Sequence, residues 1–471
     1  MTPARLRNTA LLVAGCFFME NLDGTIVTTA APRIGRALGV PSTAVGLVIA
    51  AYMVTLAVLI PLSGWIAARW GARSVFLSAI AIFTLSSLAC AASGSFAELV
   101  VFRILQGVGG AMMVPVGRLV VLARTEKSQM LRTVGLLVWP ALVAPIIAPL
   151  AGGIITTYAS WRWLFLVNGP LGVVAFVTAW RLIDSPRTED PPPLDRLGVL
   201  LTCGGLASGT YMAYLLSQNR VSWVRVGACA VVAVVALAGA AVHLLRTAHP
   251  LVNLRTLQVP TFRVAVGSGS LFWTTITSVP FLFTLLFQNG FGWSPVKSGA
   301  VVLFIFVGNL GIKPATTPML RRWGFRRVLI IATAGAAATM VVAAFFDGGT
   351  PLVIIAVVAV LNGIGRSVSL TCYSTIAFSD TPPEQIRDAN TLQATAQQLA
   401  VGLGVSVGAV ALRAGGALSG VLPGAVTGLT PYEMAFLLLA LVALGGTVGA
   451  LRLHPDAGAA VTRHRQVATD P

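Results

Sequence analysis

"RWGARSVFL" (69–77) and "RWGFRRVLI" (322–330) share one form, Arg-Trp-Gly-x-Arg running straight into an apolar stretch. Each loop also follows an apolar run of about 20 residues, the length that spans a bilayer core. Matching loops in matching positions indicate an internal repeat. Repeated halves meeting around a central site are the architecture of secondary transporters. Two six-helix halves would set the loops six helices apart. The predicted helices set them eight apart, so two additional helices are expected between the halves.

Working outward, apolar runs recur at 9–31, 44–66, 74–93, 97–121, 133–157, 163–182, 197–217, 224–246, 262–288, 297–316, 327–346, 351–376, 391–412 and 433–453. The expected architecture is an all-α polytopic membrane protein with 14 transmembrane helices, as two six-helix bundles plus two extra helices. The expected divisions are 1–182 for the first bundle, 183–261 for a linker carrying the extra helices (197–217 and 224–246), 262–455 for the second bundle and 456–471 for a tail. Residues are 56% hydrophobic and 10% charged, which excludes an ordinary soluble domain. The runs are continuous rather than alternating, which excludes a β-barrel. The first run is too long for the apolar region of a cleavable signal and contains two acids.

The net charge of +17 does not call for a nucleic-acid partner, because the basic residues sit in short loops. With the N-terminus inside, Arg69, Arg73, Arg124, Lys127, Arg132, Arg321, Arg322, Arg326 and Arg327 all fall on the cytoplasmic side. Arg33, Arg36, Arg162, Arg220, Arg225, Lys297 and Arg413 fall outside, a roughly threefold cytoplasmic excess overall. This implies a multi-pass protein of the cell (inner) membrane with both termini cytoplasmic. Cys16, Cys90, Cys203, Cys229 and Cys372 lie in or beside apolar runs and have no metal-ligand spacing. No metal site, cofactor or catalytic constellation is expected, and the chain is not read as an enzyme. An ATP-driven pump is disfavoured because no G-x-x-x-x-G-K-[ST] loop exists.

Further motifs carry a resemblance. They are "LDGTIVTTAAP" (22–32), "GWIAARWGARSVFL" (64–77), "LVVFRILQGVGGA" (99–111), "GLLVWPALVAPIIAPLAGG" (135–153), "SWRWLFLVNGPLG" (160–172) and "HPLVNLRTL" (249–257). In this order they resemble the major facilitator superfamily, and within it the fourteen-spanner drug:proton antiporters of the EmrB/QacA type. The resemblance implies the major facilitator fold, alternating access and coupling to a proton gradient in place of a cofactor. It implies that Arg103 faces the first helix in the proton-coupling region. It implies gating and packing roles for Gly64, Arg69, Gly71 and Arg73, for Arg322, Gly324 and Arg326 of the repeat, and for Pro149, Gly152 and Gly153 in the fifth helix. The chain departs from the pattern at Ala68, where the loop motif has an acid, and at Thr28, Ala144 and Ala148, with Pro140 and Pro145 added.

Ionisable groups at membrane depth cost at least a few kcal/mol and need a partner, a wet cavity or a task. Glu20 lies about 16 Å into its helix, near the midplane. Asp23 follows three residues later, about 60° around, so both acids are expected to line the cleft between halves. There they can hold and release a proton in competition with substrate. Arg103 is the expected partner of Asp23, either in coupling or as a structural pair. Glu20 is read as a proton or cation site, a cavity polar group or a structural hydrogen bond. Expected cavity residues are Glu20, Tyr52, Gln106, Trp139, Phe272, Trp273, Asn362 and Arg366, with lipid-facing placement the alternative for the aromatics, Phe17 included. Arg366 is read as meeting an anionic substrate group, neutralising the acids, or packing on carbonyls. Lys313 and Arg118 are read as snorkelling near helix ends, and Gln397 and Gln398 as interhelical hydrogen bonds.

The leading functional expectation is a proton-coupled exporter of small amphipathic compounds, either antibiotics or other toxic organics. The alternative is a specific metabolite transporter for an amino acid or organic acid, and a channel or non-transporting scaffold stays open. The expected partners are a small-molecule substrate and the lipid bilayer, with any envelope adaptor unknown.

Overall fold

The computed structural model describes residues 3–41, 44–184, 193–217, 221–421 and 430–462. Arg220, Pro191, Pro192 and His464 lie outside these, as do the side chains of Thr28, Pro140, Pro145 and Pro149. The long helices are α1 (Pro3–Ala37), α2 (Gly46–Leu59, continued through a 3-10 turn to Ser63–Trp70), α3 (Ala72–Ala92), α4 (Phe96–Leu122), α5 (Lys127–Tyr158) and α6 (Asn168–Leu182). They continue as α7 (Arg196–Ser217), α8 (Trp223–Arg246), α9 (Pro260–Leu285), α10 (Pro295–Gly311), α11 (Lys313–Ala344), α12 (Leu352–Ser379), α13 (Ile386–Val421) and α14 (Pro431–Leu451). Among the described residues there is no strand, and twelve helices are long and apolar enough to cross a membrane. Residues Lys297–Gly311 of α10 form a shorter apolar helix.

The sequence repeat is a structural repeat. Gly71 has φ 82 and ψ 135, and Gly324 has φ 73 and ψ 166. This conformation is open essentially only to glycine, so both Arg-Trp-Gly loops turn on the same backbone device. Gly324 therefore interrupts α11: residues 313–323 carry on from α10 and 325–344 return. The likeness extends to the second arginine of each loop. Arg73 Nη2 donates to Trp180 O at the end of α6 (2.8 Å), and Arg326 Nη2 donates to Leu451 O at the end of α14 (3.2 Å). Each arginine satisfies an otherwise open carbonyl at the negative end of a helix dipole.

Helices α1–α6 pack chiefly on one another and α9–α14 likewise, while α7 lies between α2 and α13. Across this arrangement α4 touches α13, and α5 touches α10 and α12. Helix α8 packs on α7 and leaves Val224, Val231, Val234 and Val235 more than half exposed, as a lipid-facing helix would. The segment joining the extra helices to α9 is held by Asp195. Its Oδ1 accepts from Gly198 N (2.8 Å) and lies 2.7 Å from His243 Nε2, and its Oδ2 accepts from Leu251 N (3.2 Å). All five cysteines are free thiols.

Small residues set the closest helix crossing. A Cβ added at Gly363 of α12 would lie 1.8 Å from Ile305 O, and one at Gly308 of α10 would lie 2.0 Å from Val360 O. Close approach of this kind replaces the hydrophobic driving force that lipid does not supply. Gly363→Ala is expected to lower the thermal unfolding temperature of the detergent-purified protein by several degrees. The Gly335→Ala control meets nothing within 4 Å and is expected to be neutral or stabilising, since alanine is favoured in helices by about 1 kcal/mol. Equal behaviour of the two variants would contradict the packing account.

Candidate functional site

The stretch "FRILQGVGG" (102–110) of α4 places Arg103 and Gln106 one helical turn apart, facing α1. Arg103 Nη1 donates to Asp23 Oδ2 and to Gln106 Oε1 (2.8 Å). Gln106 Nε2 donates to Asp23 Oδ1 (2.9 Å), and so does Asn168 Nδ2 from α6 (2.9 Å). Asn168 Nδ2 also reaches Ser87 Oγ on α3 (2.9 Å), which donates to Phe165 O (3.0 Å). Arg103 is 0% and Asp23 1% exposed. The Tyr52 ring of α2 lies 4.2 Å from the guanidinium, a cation–π contact in a dry setting. The network around this one carboxylate thus ties together five helices, α1, α2, α3, α4 and α6.

Beside this network lies a cavity of about 540 Å³, a volume suited to a drug-sized ligand. Its walls come from α1 (Glu20, Asn21), α2 (Tyr52, Met53), α7 (Thr210, Tyr214), α9 (Trp273, Ile276), α12 (Arg366, Leu370) and α13 (Gln397, Gln398, Val405). Glu20 Oε2 is buried with no hydrogen bond, and Glu20 forms no ion pair among the described residues. Gly110 gives it room: a Cβ there would stand 2.9 Å from Leu56 Cδ2, 3.2 Å from Tyr52 Oη and 3.8 Å from Glu20 Cδ. Arg366 is 8% exposed, donates from Nη1 to Ile276 O (3.0 Å) and leaves its buried Nε without a partner.

Of the expected cavity residues, Glu20, Tyr52, Trp273 and Arg366 line it. Four others do not. Gln106 is fully buried on Asp23. Trp139 is 49% exposed and lines a groove between α1, α5 and α6. Phe272 packs in the core behind Arg366, and Asn362 donates to Thr339 Oγ1 (2.9 Å). The two acids do not share the cleft either: the 60° between them carries Asp23 off the cavity wall into the bundle. Arg118 does not snorkel; it is 8% exposed and sits over the buried Phe17 ring at 5.5 Å. Lys313 turns inward to Thr371 Oγ1 (2.7 Å). Gln397 and Gln398 are cavity walls rather than purely interhelical bonds, although Gln398 Nε2 also approaches Met53 Sδ at 3.8 Å.

The gating and packing candidates divide by position. A Cβ on Gly64 would fall 2.5 Å from Thr391 Oγ1 of α13, so α2 and α13 are in contact there. Nearby, Asn390 Nδ2 of α13 donates to Pro115 O of α4 (2.9 Å). Arg69 and Arg322 are exposed, whereas Arg73 and Arg326 cap helices as described above. Gly152, Ala144 and Ala148 are buried on α5, and Gly153 is half-buried. Reading the sequence alone missed Asn168, Ser87 and the contribution of α7. An asparagine within the apolar run "FLVNGPLG" (165–172) is the signal that marks the first of these.

Removing one partner from a buried ion pair leaves an uncompensated charge and costs about 3–5 kcal/mol. Asp23→Asn and Arg103→Gln are each expected to lower the unfolding temperature, and the double variant to lose less than the sum. Additive losses in this thermal cycle would contradict the pairing.

Known proteins place the fold. The profile of the Major Facilitator Superfamily matches residues 13–405. The chain is 32% identical to the putative multidrug resistance protein MdtD of Pectobacterium carotovorum subsp. carotovorum (strain PC1), over 88% of each chain. It is 34% identical to that of Escherichia coli O6:H1 (strain CFT073), over 85% of each. The solved structure of the proton:xylose symporter XylE superposes with a TM-score of 0.65 at 14% identity, covering 96% of this chain and 95% of that one. This chain, with its repeated loops and central cavity, is a multi-pass membrane protein that belongs to the Major Facilitator Superfamily.

Proposed function

We propose that the protein is a proton-coupled antiporter that exports small amphipathic compounds by alternating access, of the fourteen-spanner EmrB/QacA type. The observation that carries this reading is the different fate of two acids one helical turn apart. Asp23 is locked to Arg103, Gln106 and Asn168, while Glu20 stands in the cavity with its buried Oε2 unbonded and only the charge of buried Arg118 acting on it. A carboxyl so placed takes a proton when the cavity is empty and yields it to an arriving substrate. Tyr52 lines the cavity and lies over Arg103, so it offers a physical contact between substrate and the buried pair. The curated relatives are putative multidrug resistance proteins, which supports export of antibiotics, drugs or other toxic organics.

In this reading α1–α14 all cross the membrane, with residues 1–182 and 262–455 as the two moving halves. Residues 183–261 carry α7 and α8, and 456–471 form a tail. The Arg-Trp-Gly loops and both termini lie in the cytoplasm. The contacts of Gly64 with Thr391 and of Asn390 with Pro115 lie toward the loop side. The cavity reaches toward the other ends of the helices at Gly46 and Ser406, which in this orientation supports an outward-facing reading of the conformation. The substrate is a small molecule, the proton gradient stands in place of a cofactor, and the protein is not an enzyme. One observation favours transport of a specific metabolite: Arg366, the one cation lining the cavity among the described residues, suits an anionic substrate group.

In proteoliposomes under an imposed pH gradient, the unmodified protein is expected to drive uphill flux of ethidium. Glu20→Gln is expected to abolish the gradient-driven component and leave downhill exchange. Full gradient-driven flux in Glu20→Gln would overturn the coupling assignment, and absence of uphill flux of any compound in the unmodified protein would overturn antiport.

A further inference from the structure

Among the described residues lining the cavity, Glu20 is the only acid and Arg366 the only base. They come from opposite sides, α1 and α12. They do not pair with each other, and each keeps a buried polar atom without a partner: Oε2 of Glu20 and Nε of Arg366. Arg366 is more than nine-tenths buried, and Ile276 O satisfies only one of its N–H groups. The walls are mainly apolar or aromatic, with Tyr52, Trp273, Ile276, Leu370 and Val405 among them, and carry uncharged polar groups such as Gln397 and Gln398.

We propose that the cavity selects amphipathic zwitterions: an apolar body whose ammonium group meets Glu20 and whose carboxylate meets Arg366. This rests on the cavity being the transport site described above. A guanidinium presents a planar fork of donors matched to a carboxylate, and the charge-assisted bond strengthens where water is excluded. An unpaired carboxylate oxygen accepts from an ammonium on the same terms. A ligand bearing only a cation brings a second positive charge into a cavity that already holds Arg366. A ligand bearing only an anion brings a second negative charge into a cavity that already holds Glu20. A zwitterion matches both groups and adds no net charge to a low-dielectric space.

The test uses the full chain in lipid nanodiscs and three probes with one body: naphthylalanine, its methyl ester (cation only) and its N-acetyl derivative (anion only). Equilibrium affinity is measured by calorimetry at about pH 6, where the three carry those charges. The zwitterion is expected to bind at least about tenfold tighter than either derivative. Glu20→Gln is expected to close the gap between the zwitterion and the N-acetyl derivative. Arg366→Gln is expected to close the gap between the zwitterion and the ester, with Arg366→Lys restoring part of it. The proposal is overturned if either derivative equals the zwitterion in the unmodified protein, if none of the three binds, or if both variants keep the unmodified ranking. The measurement needs no gradient. A zwitterion preference without pH-driven flux would therefore sink antiport alone, and pH-driven flux without that preference would sink the substrate class alone.

Discussion

A guanidinium with no exposed surface in the middle of a membrane bundle is tenable only if an anion and hydrogen-bond acceptors are fixed beside it. Arg103 meets this demand with Asp23 and Gln106, and the arrangement dictates much of its surroundings. Asp23 has to face α4, so the register of α1 is set. Its second oxygen has to be satisfied, which brings in Gln106 and Asn168, and Asn168 in turn holds Ser87 of α3. The aromatic lid of Tyr52 places α2 over the same point. Five helices, α1, α2, α3, α4 and α6, are thereby registered around one carboxylate.

Once Asp23 is turned into the bundle, Glu20 has to point about 60° away, toward the space that α2, α7, α9, α12 and α13 enclose. Geometry separates the two acids more sharply than their spacing suggests. One is surrounded by donors from Arg103, Gln106 and Asn168. The other faces the cavity with its Oε2 unbonded, open to a proton or a ligand cation. The base on the far wall, Arg366, leans on a backbone carbonyl rather than on an acid. The cavity therefore holds two separated charges on largely apolar walls, a surface suited to recognition.

Much of this is written in the sequence because lipid imposes strong patterning. Helix positions and the Arg-Trp-Gly repeat were legible from apolar run length and loop chemistry alone. The pairing of Asp23 with Arg103 was legible because neither charge tolerates isolation. Cavity membership was less legible: Gln106, Trp139, Phe272 and Asn362 sit on helices whose facing depends on rotations that periodicity cannot fix in an all-apolar run. The repeat's last detail, Arg73 and Arg326 capping the ends of α6 and α14, was hidden because those carbonyls are more than a hundred residues away. The place of α7 in the cavity wall was hidden for a similar reason, since sequence orders helices but does not say which gap an inserted one fills.

The division of labour between the two acids can be read directly by carbodiimide labelling of the purified protein, with modified carboxyls mapped by mass spectrometry. Glu20 is expected to be modified, and to be protected by a bound ligand, while Asp23 stays unmodified under the same conditions. Modification of Asp23 as fast as Glu20 would show that the buried pair opens to the cavity, and would contradict the assignment of separate roles.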